Sequence, residues 1–439
     1  MTPFTPKELT EQDVLALSAA REEPDWLRDR RQEAFKAFAD FAWPHRKMEA
    51  WRMTDPRRFD LERPVALADG PSPSAPSSIV AAAGELAASA TLSDAGLRDV
   101  EVGESGVEIL DLSQASQGPR ADVVKESLGA AVGAEGKFEA LNLAAFTAGA
   151  LVHLPAELIV DRPISLTVHV DAEGTHIPRI LITTGHHARG SVYVTFTGDA
   201  DATVIEALEV VVGDEARIDL VTAQQWGDRV DQIATRRGTV QRDASYRHLD
   251  AQLGGKTSYI RPDVHLAGQG ADGELLGVSF ADAGQHFETR SELRHDASNS
   301  HAEALYKGTL QGESRSVWYG NIRIEPHAKA TTSDETNRNL ILTDGAHADS
   351  IPFLEILTSD VVGCGHHSSV GQLDEAQLFY LESRGLPRPV AARMLVFGFF
   401  SEVLERVEVP GVTEVLLAEI EAELQDAPTA LMDPRRGAS

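Results

Sequence analysis

The middle of the chain, from about Leu151 to Val362, alternates short apolar runs with turn residues. Runs such as PISLTVHV, SVYVTFTG and SVWYGNIRI are rich in Val, Ile, Thr and aromatic residues, which is typical of β-strands. No helix-length period separates them, as a βαβ parallel sheet would require. The pattern therefore predicts a mainly β body, which could be a sandwich, a barrel or a β-solenoid.

Several of these runs begin in a similar way, with Gly or Asp just before Ala. The recurrences are at Asp214 to Ala216, Asp243–Ala244, Gly270–Ala271 and Gly345–Ala346. Because their spacing is irregular, they support only a weak internal repeat.

Helical periodicity appears before the strand-rich region. Between Glu23 and Trp43 the apolar residues recur at helical spacing, which predicts an amphipathic helix ended by Pro44. The segment Phe138 to Val152, FEALNLAAFTAGALV, has a broad apolar face and is also predicted to be helical. Residues from about Pro64 to Ser93 are rich in Ala, Ser, Pro and Gly, which is typical of a linker.

Helices are predicted again after the strand-rich region. Asp374 is a good N-cap ahead of EAQLFYLESR, and Gly385 is a natural residue to end that helix. A second helix, about Pro389 to Val407, is apolar on nearly every side, so it is expected to be buried or covered by another chain. The last helix is predicted at about Thr413 to Leu424.

These patterns predict six regions. They are an N-terminal helical region (1–63), an Ala/Ser/Pro-rich linker (64–98), a mixed connecting segment (99–150), a strand-built core (151–370), a C-terminal helical region (371–428) and a tail (429–439).

Composition narrows the range of functions. The 439 residues include 40 basic and 68 acidic side chains, a formal net charge of −28, which argues against general binding of nucleic acid or an anionic membrane. A single cysteine cannot form an internal disulfide, and the charged N-terminus lacks the apolar run of a signal peptide. We therefore expect a soluble, cytoplasmic protein.

Two matches to nucleotide-binding motifs are misleading. GQGADG at Gly268 to Gly273 fits a dinucleotide fingerprint, but it leads into a strand-like run instead of a helix. LGGKTS at Leu253 to Ser258 resembles the end of a phosphate-binding loop, yet Asp250 stands where the first glycine belongs. We expect turns at both places and no nucleotide site in this chain.

The strongest candidate for chemistry is Cys364-Gly365-His366-His367, which contains the only cysteine. In an extended segment Cys364 and His366 share one face and His367 lies on the other. A thiolate and an imidazole can bind a soft metal, or the imidazole can lower the pKa of the thiol. The alternative is a buried structural cysteine; a hydrolase triad lacks any supporting local signature.

Three other histidines lie close together in sequence. His286, His295 and His301 fall in FADAGQHFETRSELRHDASNSH, where adjacent strands could bring them together. Imidazoles suit iron or zinc, but the spacing fixes no further ligand. Hydrogen-bonded or solvent-facing structural histidines are the favoured interpretation, and their role is left open.

Several long stretches occur together, in this order, in one known family. They include EPDWLRDRRQEAFKAF, KMEAWRMTD, FEALNLAAFTAG and VGCGHHSSVGQLDEAQLFYLESRGLPRPVAARMLVFGFFSEVL. In these stretches the chain resembles the SufB/SufD family of iron–sulfur cluster assembly proteins. VGQLDEAQLFYL and the pair Trp51-Arg52 make it most like SufD. HHSSVG departs from a pattern closer to His-Gly-Ala-Thr-Val-Gly, and TTSDETN replaces a more usual Thr-Asp-Ala-x-Gln-x-Asn.

The resemblance implies a right-handed parallel β-helix (β-solenoid) core flanked by α-helical N- and C-terminal regions. It implies a non-catalytic subunit of a SufBCD-type scaffold complex, which supports iron acquisition and cluster formation at an interface with a SufB-like subunit. A SufC-like ATPase would drive this process and dock on the C-terminal helices. Nucleic acid and membranes are not expected partners, and homodimer formation without the partners is left open.

The resemblance also directs attention to particular residues. His366, with Cys364 beside it, is a candidate ligand of transient iron or an iron–sulfur cluster at the partner interface. Phe397, Phe399 and Phe400 are candidates for docking the ATPase. One alternative is a SufB-like scaffold with Cys364 as sulfur acceptor, and another is a β-helix enzyme that cleaves polysaccharides, for which no catalytic carboxylate pair is evident.

Overall fold

The computed structural model describes residues 4–67, 85–103, 105–282, 284–407, 409 and 411–425. The stretch 68–84 of the predicted linker and the predicted tail 429–439 lie outside these residues. The helices are α1 Glu11–Ala20, α2 Asp25–Asp40, α3 Leu112–Ala115, α4 Ala121–Ser127, α5 Lys137–Ala145, α6 Glu375–Ser383, α7 Arg388–Leu404 and α8 Val412–Gln425, with short 3-10 helices at Pro6–Glu8, Glu49–Trp51 and Pro56–Arg58.

Strands occupy most of the chain between the two helical ends. They are β1 Ala88–Ser93, β2 Gly96–Val102, β3 Glu108–Asp111, β4 Ala148–Leu154, β5 Ile164–His169, β6 Gly174–His176, β7 Pro178–Thr184, β8 Arg189–Gly198, β9 Ala202–Val212, β10 Arg217–Trp226, β11 Val230–Val240, β12 Ser245–Gln252, β13 Thr257–Leu266, β14 Asp272–Ala281, β15 His286–His295, β16 His301–Leu310, β17 Arg315–Ile324, β18 Thr331–Ile341, β19 His347–Ile356 and β20 Val361–Gln372.

The strands form two facing sheets. Sheet 1 has the order β2-β1-β5-β8-β10-β12-β14-β16-β18-β20, and sheet 2 has the order β19-β17-β15-β13-β11-β9-β7-β4-β3, with β6 beside β9. From β7 onward, neighbours within a sheet are parallel and the chain crosses to the other sheet between consecutive strands. The 28 residues that separate register partners such as Ile218 and Tyr246 make one turn. The expectation of a mainly β parallel solenoid with flanking helices is confirmed.

Alternation along the strands divides the apolar residues into three layers. One face of each strand points between the sheets and builds the interior cluster, which includes Phe196, Ile218, Leu220, Val264, Ile322 and Trp318. The outer face of sheet 2 is covered by the N-terminal region, where Trp51 stacks on Tyr259 with ring centroids 4.3 Å apart. The outer face of sheet 1 is covered by α7 and α8.

The C-terminal helices begin within one residue, and end within three residues, of the positions that the sequence predicts. The side chain of Asp374 accepts a hydrogen bond from the Ala376 amide at 2.8 Å, which caps α6. Gly385, with φ +90°, follows its last turn, and a positive φ strongly favours glycine. This agreement reflects strong local signals: the N-cap Asp374, the left-handed Gly385, and Pro387, which precedes α7.

Two sequence-based boundaries are wrong. β1 lies inside the predicted linker and pairs in parallel with β5. The helix predicted over Phe138 to Val152 ends at Ala145, and its second half forms β4, which pairs with β7. The strand-built body therefore begins before residue 151, because ladder hydrogen bonds within the solenoid outweigh the helical pattern of this apolar run.

The recurring Gly/Asp–Ala pairs mark turns of the solenoid. Those at Asp214 to Ala216, Asp243–Ala244 and Gly270–Ala271 lie where the chain passes from sheet 2 to sheet 1, whereas Gly345–Ala346 lies where it passes from sheet 1 to sheet 2. The pairs are irregularly spaced along the chain because they come from two different edges of the solenoid. None of the helices in the described ranges is long and apolar enough to cross a membrane.

Candidate functional site

The Cys-His segment forms the last strand of the solenoid. β20 pairs only with β18 and is the terminal strand of sheet 1, as β19 is of sheet 2. Cys364 packs against the interior cluster. Because side chains alternate along the extended strand, His366 lies on this same inner face. His367 lies on the opposite face, where its Nε2 is 3.5 Å from Oδ2 of Asp334.

The two inner-face residues differ in their environment. Cys364 is half-buried, and its pKa is raised by burial and then by the nearby carboxyl groups of Glu335 and Asp334. The free thiol is therefore held in its protonated form, which is a poor nucleophile and a poor metal ligand until it loses the proton. His366 is exposed at the open end of the solenoid, so its imidazole is accessible to a partner.

Glu335 lies beside His366 in the strand register. The two residues are Cα partners between β18 and β20, so their side chains share the inner face. Glu335 is 0% exposed, and neither of its carboxyl oxygens has a hydrogen bond of normal geometry. Burial raises its pKa to about 8, against a weaker opposing effect of the Phe353 backbone. A buried carboxyl group without a partner is costly.

Sequence reasoning missed Glu335 as a site residue. It falls in TTSDETN, where the family pattern has Gln, and this departure is the signal that could have identified it. The pairing of Glu335 with His366 depends on a register between residues 31 positions apart, which sequence alone does not give.

The histidines His286, His295 and His301 do not form a common site. His286 contacts Oγ1 of Thr54 at 2.6 Å, and His295 contacts Oγ of Ser300 at 2.8 Å from the other end of the same strand. Burial lowers their pKa to about 3 and about 4, respectively. His301 contacts Asp272, whose hydrogen bond raises the histidine pKa. Each of the three has its own local partner.

The three candidate docking phenylalanines lie on α7 with unequal exposure. Phe400 is 0% exposed and packs in the cluster between α7, α8 and the outer face of sheet 1. Phe397 and Phe399 are partly buried against the same cluster. The ring of Phe400 therefore holds α7 on the sheet and is not accessible to a partner in this chain. The most exposed apolar side chains of α6 and α7 are instead Phe379, Tyr380 and Met394.

The two nucleotide-motif matches are turns, as predicted. Gly268 to Gly270 connects β13 with β14, and Leu253 to Lys256 connects β12 with β13. Neither precedes a helix, so neither presents the row of helix N-terminal amides that would bind a phosphate.

A second group of ligating side chains escaped sequence reasoning. Glu157, His186 and His187 bring possible ligand atoms within 4.8 Å of one another. Glu157 lies in the connection from β4 to β5, and the two histidines lie in the connection from β7 to β8; both connections lead from sheet 2 to sheet 1. The terminal strand β20 is six strands further along sheet 1 than β8. The consecutive histidines of GHHARG were the available signal.

Comparison with known proteins gives one consistent family. The domain described as "SUF system FeS cluster assembly, SufBD core domain" matches residues 167–399. An iron-sulfur cluster assembly SufBD family protein of Mycobacterium tuberculosis is 38% identical over 292 residues, which cover 64% of this chain and 72% of the relative. A family protein of Mycobacterium leprae is 40% identical over 242 residues (54% and 62%). One of Staphylococcus aureus is 27% identical over 306 residues (68% and 65%).

Proposed function

The chain belongs to the SufBD family of iron–sulfur cluster assembly proteins, and we propose that it acts as a SufD-type, non-catalytic subunit of a SufBCD-type scaffold complex. In this role it supports iron acquisition and cluster formation at an interface with a SufB-like subunit. The observation that carries the proposal is the open end of the solenoid, where an accessible His366 lies among exposed apolar residues on two terminal strands, β19 and β20, each paired on one side within the described residues.

The open end has the properties of an interface. A terminal strand presents unpaired backbone groups that readily pair with another chain. Large apolar side chains are exposed along β19, β20 and the turn between them, namely Phe353, Leu354, Ile356, Leu357, Val362 and Val370. A partner that covers this end would bury apolar surface and exclude water from the inner face of β20. We assign this end to the SufB-like subunit.

At this interface the residues have different proposed roles. His366 offers an imidazole to iron or to the growing cluster, which are cargo of the complex. Cys364 can join as a thiolate once a metal displaces its proton. Glu335 lies directly behind His366 in the register and would supply negative charge toward the open end once a cation bound there displaces its proton. The SufB-like partner provides the remaining ligands.

The C-terminal helices are proposed to dock the SufC-like ATPase. α6 and α7 expose Phe379, Tyr380 and Met394, and aromatic residues and Met are enriched at protein interfaces. Phe397 and Phe399 lie at the border of this surface. The ATPase would then act on helices that pack against the same sheet that carries β20.

A docking role for α7 can be separated from a purely structural one. Phe399→Glu places a charge on a partly exposed position and is expected to weaken co-purification of the ATPase, while the chain keeps its thermal midpoint within a few degrees. Phe400→Glu buries a charge and is expected to lower that midpoint strongly. Equal losses of stability in the two variants would contradict docking through this helix.

The alternative of a SufB-like scaffold with Cys364 as sulfur acceptor has less support. Its thiol is half-buried, and both burial and the neighbouring carboxyl groups raise the pKa, whereas sulfur acceptance requires a thiolate. Persulfide formed on Cys364 by a sulfur donor would favour that alternative. The polysaccharide-cleaving interpretation is set aside because the chain belongs to an assembly family.

The experiment uses the chain co-expressed with SufB-like and SufC-like partners. Cluster formation is followed by absorbance after anaerobic addition of iron, a sulfur donor and ATP. His366→Ala is expected to slow cluster formation at least tenfold, whereas His367→Ala, one residue away on the opposite face, is expected to leave it within twofold. Equal rates for His366→Ala and the unmodified complex would reject the proposed role.

A further inference from the structure

One edge of the solenoid carries a column of left-handed residues. Where the chain passes from sheet 2 to sheet 1, Glu157, His187, Glu215 and Asp243 have φ between 53° and 65°. The backbone N–H of Glu157 donates to His186 O at 2.8 Å, that of His187 to Asp214 O at 3.1 Å, and that of Glu215 to Arg242 O at 2.9 Å. Equivalent residues of consecutive turns are thereby stacked at roughly the 4.8 Å spacing of neighbouring strands.

This stacking brings three ligating side chains together. The carboxylate of Glu157 and the imidazoles of His186 and His187 place possible ligand atoms within 4.8 Å of one another, and no other such trio of His, Cys, Asp or Glu occurs among the described residues. The two ring centroids are 3.9 Å apart. Glu157 and His186 are exposed and His187 is half-buried, so an ion can enter from solvent.

Each imidazole has one nitrogen that faces an oxygen atom of a neighbouring residue. Nδ1 of His186 is 3.0 Å from the carbonyl oxygen of Asp214, which can only accept, so that nitrogen donates and Nε2 keeps its lone pair. Nε2 of His187 is 3.1 Å from the Glu215 carboxylate, which leaves Nδ1 with a lone pair when the ring is neutral. Metal-ligating histidines characteristically have such outer partners, which fix the tautomer and the ring orientation.

The outer partners are themselves held in place. Glu215 accepts a hydrogen bond from Arg242 at 2.8 Å, and Arg242 also pairs with Asp243. The three possible ligands are thus the imidazoles of His186 and His187 and the carboxylate of Glu157. The Glu215–Arg242 ion pair lies on the far side of His187 and supports its ring. Two histidines and one carboxylate suit Zn²⁺ or Fe²⁺, with the open positions filled by water.

We propose that Glu157, His186 and His187 form a binding site for a divalent first-row transition metal ion, Zn²⁺ or Fe²⁺. The site is separate from the His366 end, because β8 and β20 are six strands apart in sheet 1, which corresponds to roughly 29 Å at 4.8 Å per strand. It does not depend on the proposed role of His366, and it gives the chain a metal site of its own.

The test is a calorimetric titration of the metal-stripped full chain with Zn²⁺, repeated anaerobically with Fe²⁺. The unmodified chain is expected to bind one ion at this site. His186→Ala/His187→Ala is expected to lose that binding event, whereas Cys364→Ala/His366→Ala keeps it. His327→Ala is the matched control, since His327 is an exposed histidine paired with Asp296 elsewhere on the chain. Loss of the event in Cys364→Ala/His366→Ala alone, or retention of it in His186→Ala/His187→Ala, would overturn the proposal.

Two further variants separate ligation from general effects. Glu215→Gln removes the negative charge that faces His187 and Arg242 and is expected to weaken binding by about 10–100-fold, with the stoichiometry unchanged. Co²⁺ serves as a visible probe: its ligand-field spectrum should change in Glu157→Gln but not in His327→Ala. An identical Co²⁺ spectrum in Glu157→Gln and the unmodified chain would exclude Glu157 as a ligand. Far-UV circular dichroism checks that each variant is folded.

Discussion

Two places in the solenoid interior carry buried charged or ionisable groups, and the two places differ in whether those groups have ion-pair partners. In the middle turns Arg236 is fully buried, yet it lies 2.8 Å from Oε1 of Glu206 and 2.5 Å from Oδ1 of Asp250. In the last turn Glu335 is equally buried, and no cationic side chain of the described residues forms an ion pair with it. The middle turns of the solenoid therefore contain a complete ion-pair network, whereas the buried carboxyl group of the last turn has no ion-pair partner among the described residues.

This difference bears on the partner interface that we propose at the open end of the solenoid. Buried charges inside a protein are normally paired, since a lone one costs several kcal/mol. The chain satisfies this requirement with ion pairs at Arg236. Glu335, on the strand next to the terminal strand β20, is instead held protonated by its burial. The carboxyl group of Glu335 is next to His366 in the register. The site that we assign to iron or cluster binding therefore coincides with the part of the interior where a buried carboxyl group lacks an ion-pair partner among the described residues.

The largest expected effect comes from breaking the completed network. Arg236→Met removes the cation and leaves Glu206 and Asp250 buried without it, which should cost about 3–5 kcal/mol of unfolding free energy. Arg28→Met is the control, because Arg28 pairs with Asp25 and Asp29 at the surface and such pairs contribute less than about 1 kcal/mol. Chemical denaturation measures both, and equal losses would contradict the contrast between interior and surface.

A smaller, pH-dependent effect is expected at the incomplete end. In the folded chain Glu335 keeps its proton up to about pH 8, against an ordinary value of 4.5. The unfolded state loses this proton first, so the group lowers the unfolding free energy as pH rises from about 4.5 to 8, by at most about 1.4 kcal/mol per pH unit.

The variant Glu335→Gln removes that proton equilibrium. Its unfolding free energy should fall less than that of the unmodified chain between pH 5 and pH 8, while Asp344→Asn, at an exposed position between β18 and β19, keeps the original slope. Denaturation at a series of pH values measures the difference. Parallel slopes for Glu335→Gln and the unmodified chain would show that Glu335 is not held protonated.

The smallest effect on the unfolding free energy of the isolated chain is expected at the rim of the solenoid, formed by β19, β20 and the turn between them. Val362 is 75% exposed, so Val362→Asp should change the unfolding free energy by less than about 0.5 kcal/mol. The same charge should disrupt burial of the rim by a SufB-like partner, and co-purification with that partner should fall at least tenfold. Unchanged co-purification would place the interface elsewhere.

Sequence predicted the helices after the solenoid well and the solenoid boundaries poorly. α6 is specified locally by Asp374 and Gly385, and such signals act within one turn of the chain. β1, with the sequence ASATLS, has Leu92 as its one large apolar residue and is held as a strand by its parallel pairing with β5. Phe138 to Val152 is apolar throughout, so periodicity could not separate its helix from its strand.

The candidate site was only partly predictable for a similar reason. The alternation of Cys364, His366 and His367 is a property of one strand and could be predicted from the residues. The position of Glu335, and the stacking of Glu157 on the two histidines, depend on contacts between turns about 30 residues apart. Those contacts arise from the register of the solenoid, which no short motif encodes.

Iron content of the assembled complex tests the central claim most directly. The chain is purified with its SufB-like and SufC-like partners, exposed to Fe²⁺ anaerobically without a sulfur donor, desalted and analysed for iron. His186→Ala/His187→Ala is introduced in all samples so that the other proposed site contributes nothing. The account predicts that adding His366→Ala lowers the iron retained per complex by about one ion, whereas adding His367→Ala does not. Equal iron retention in the two variants would contradict the assignment of His366 as a ligand at the partner interface.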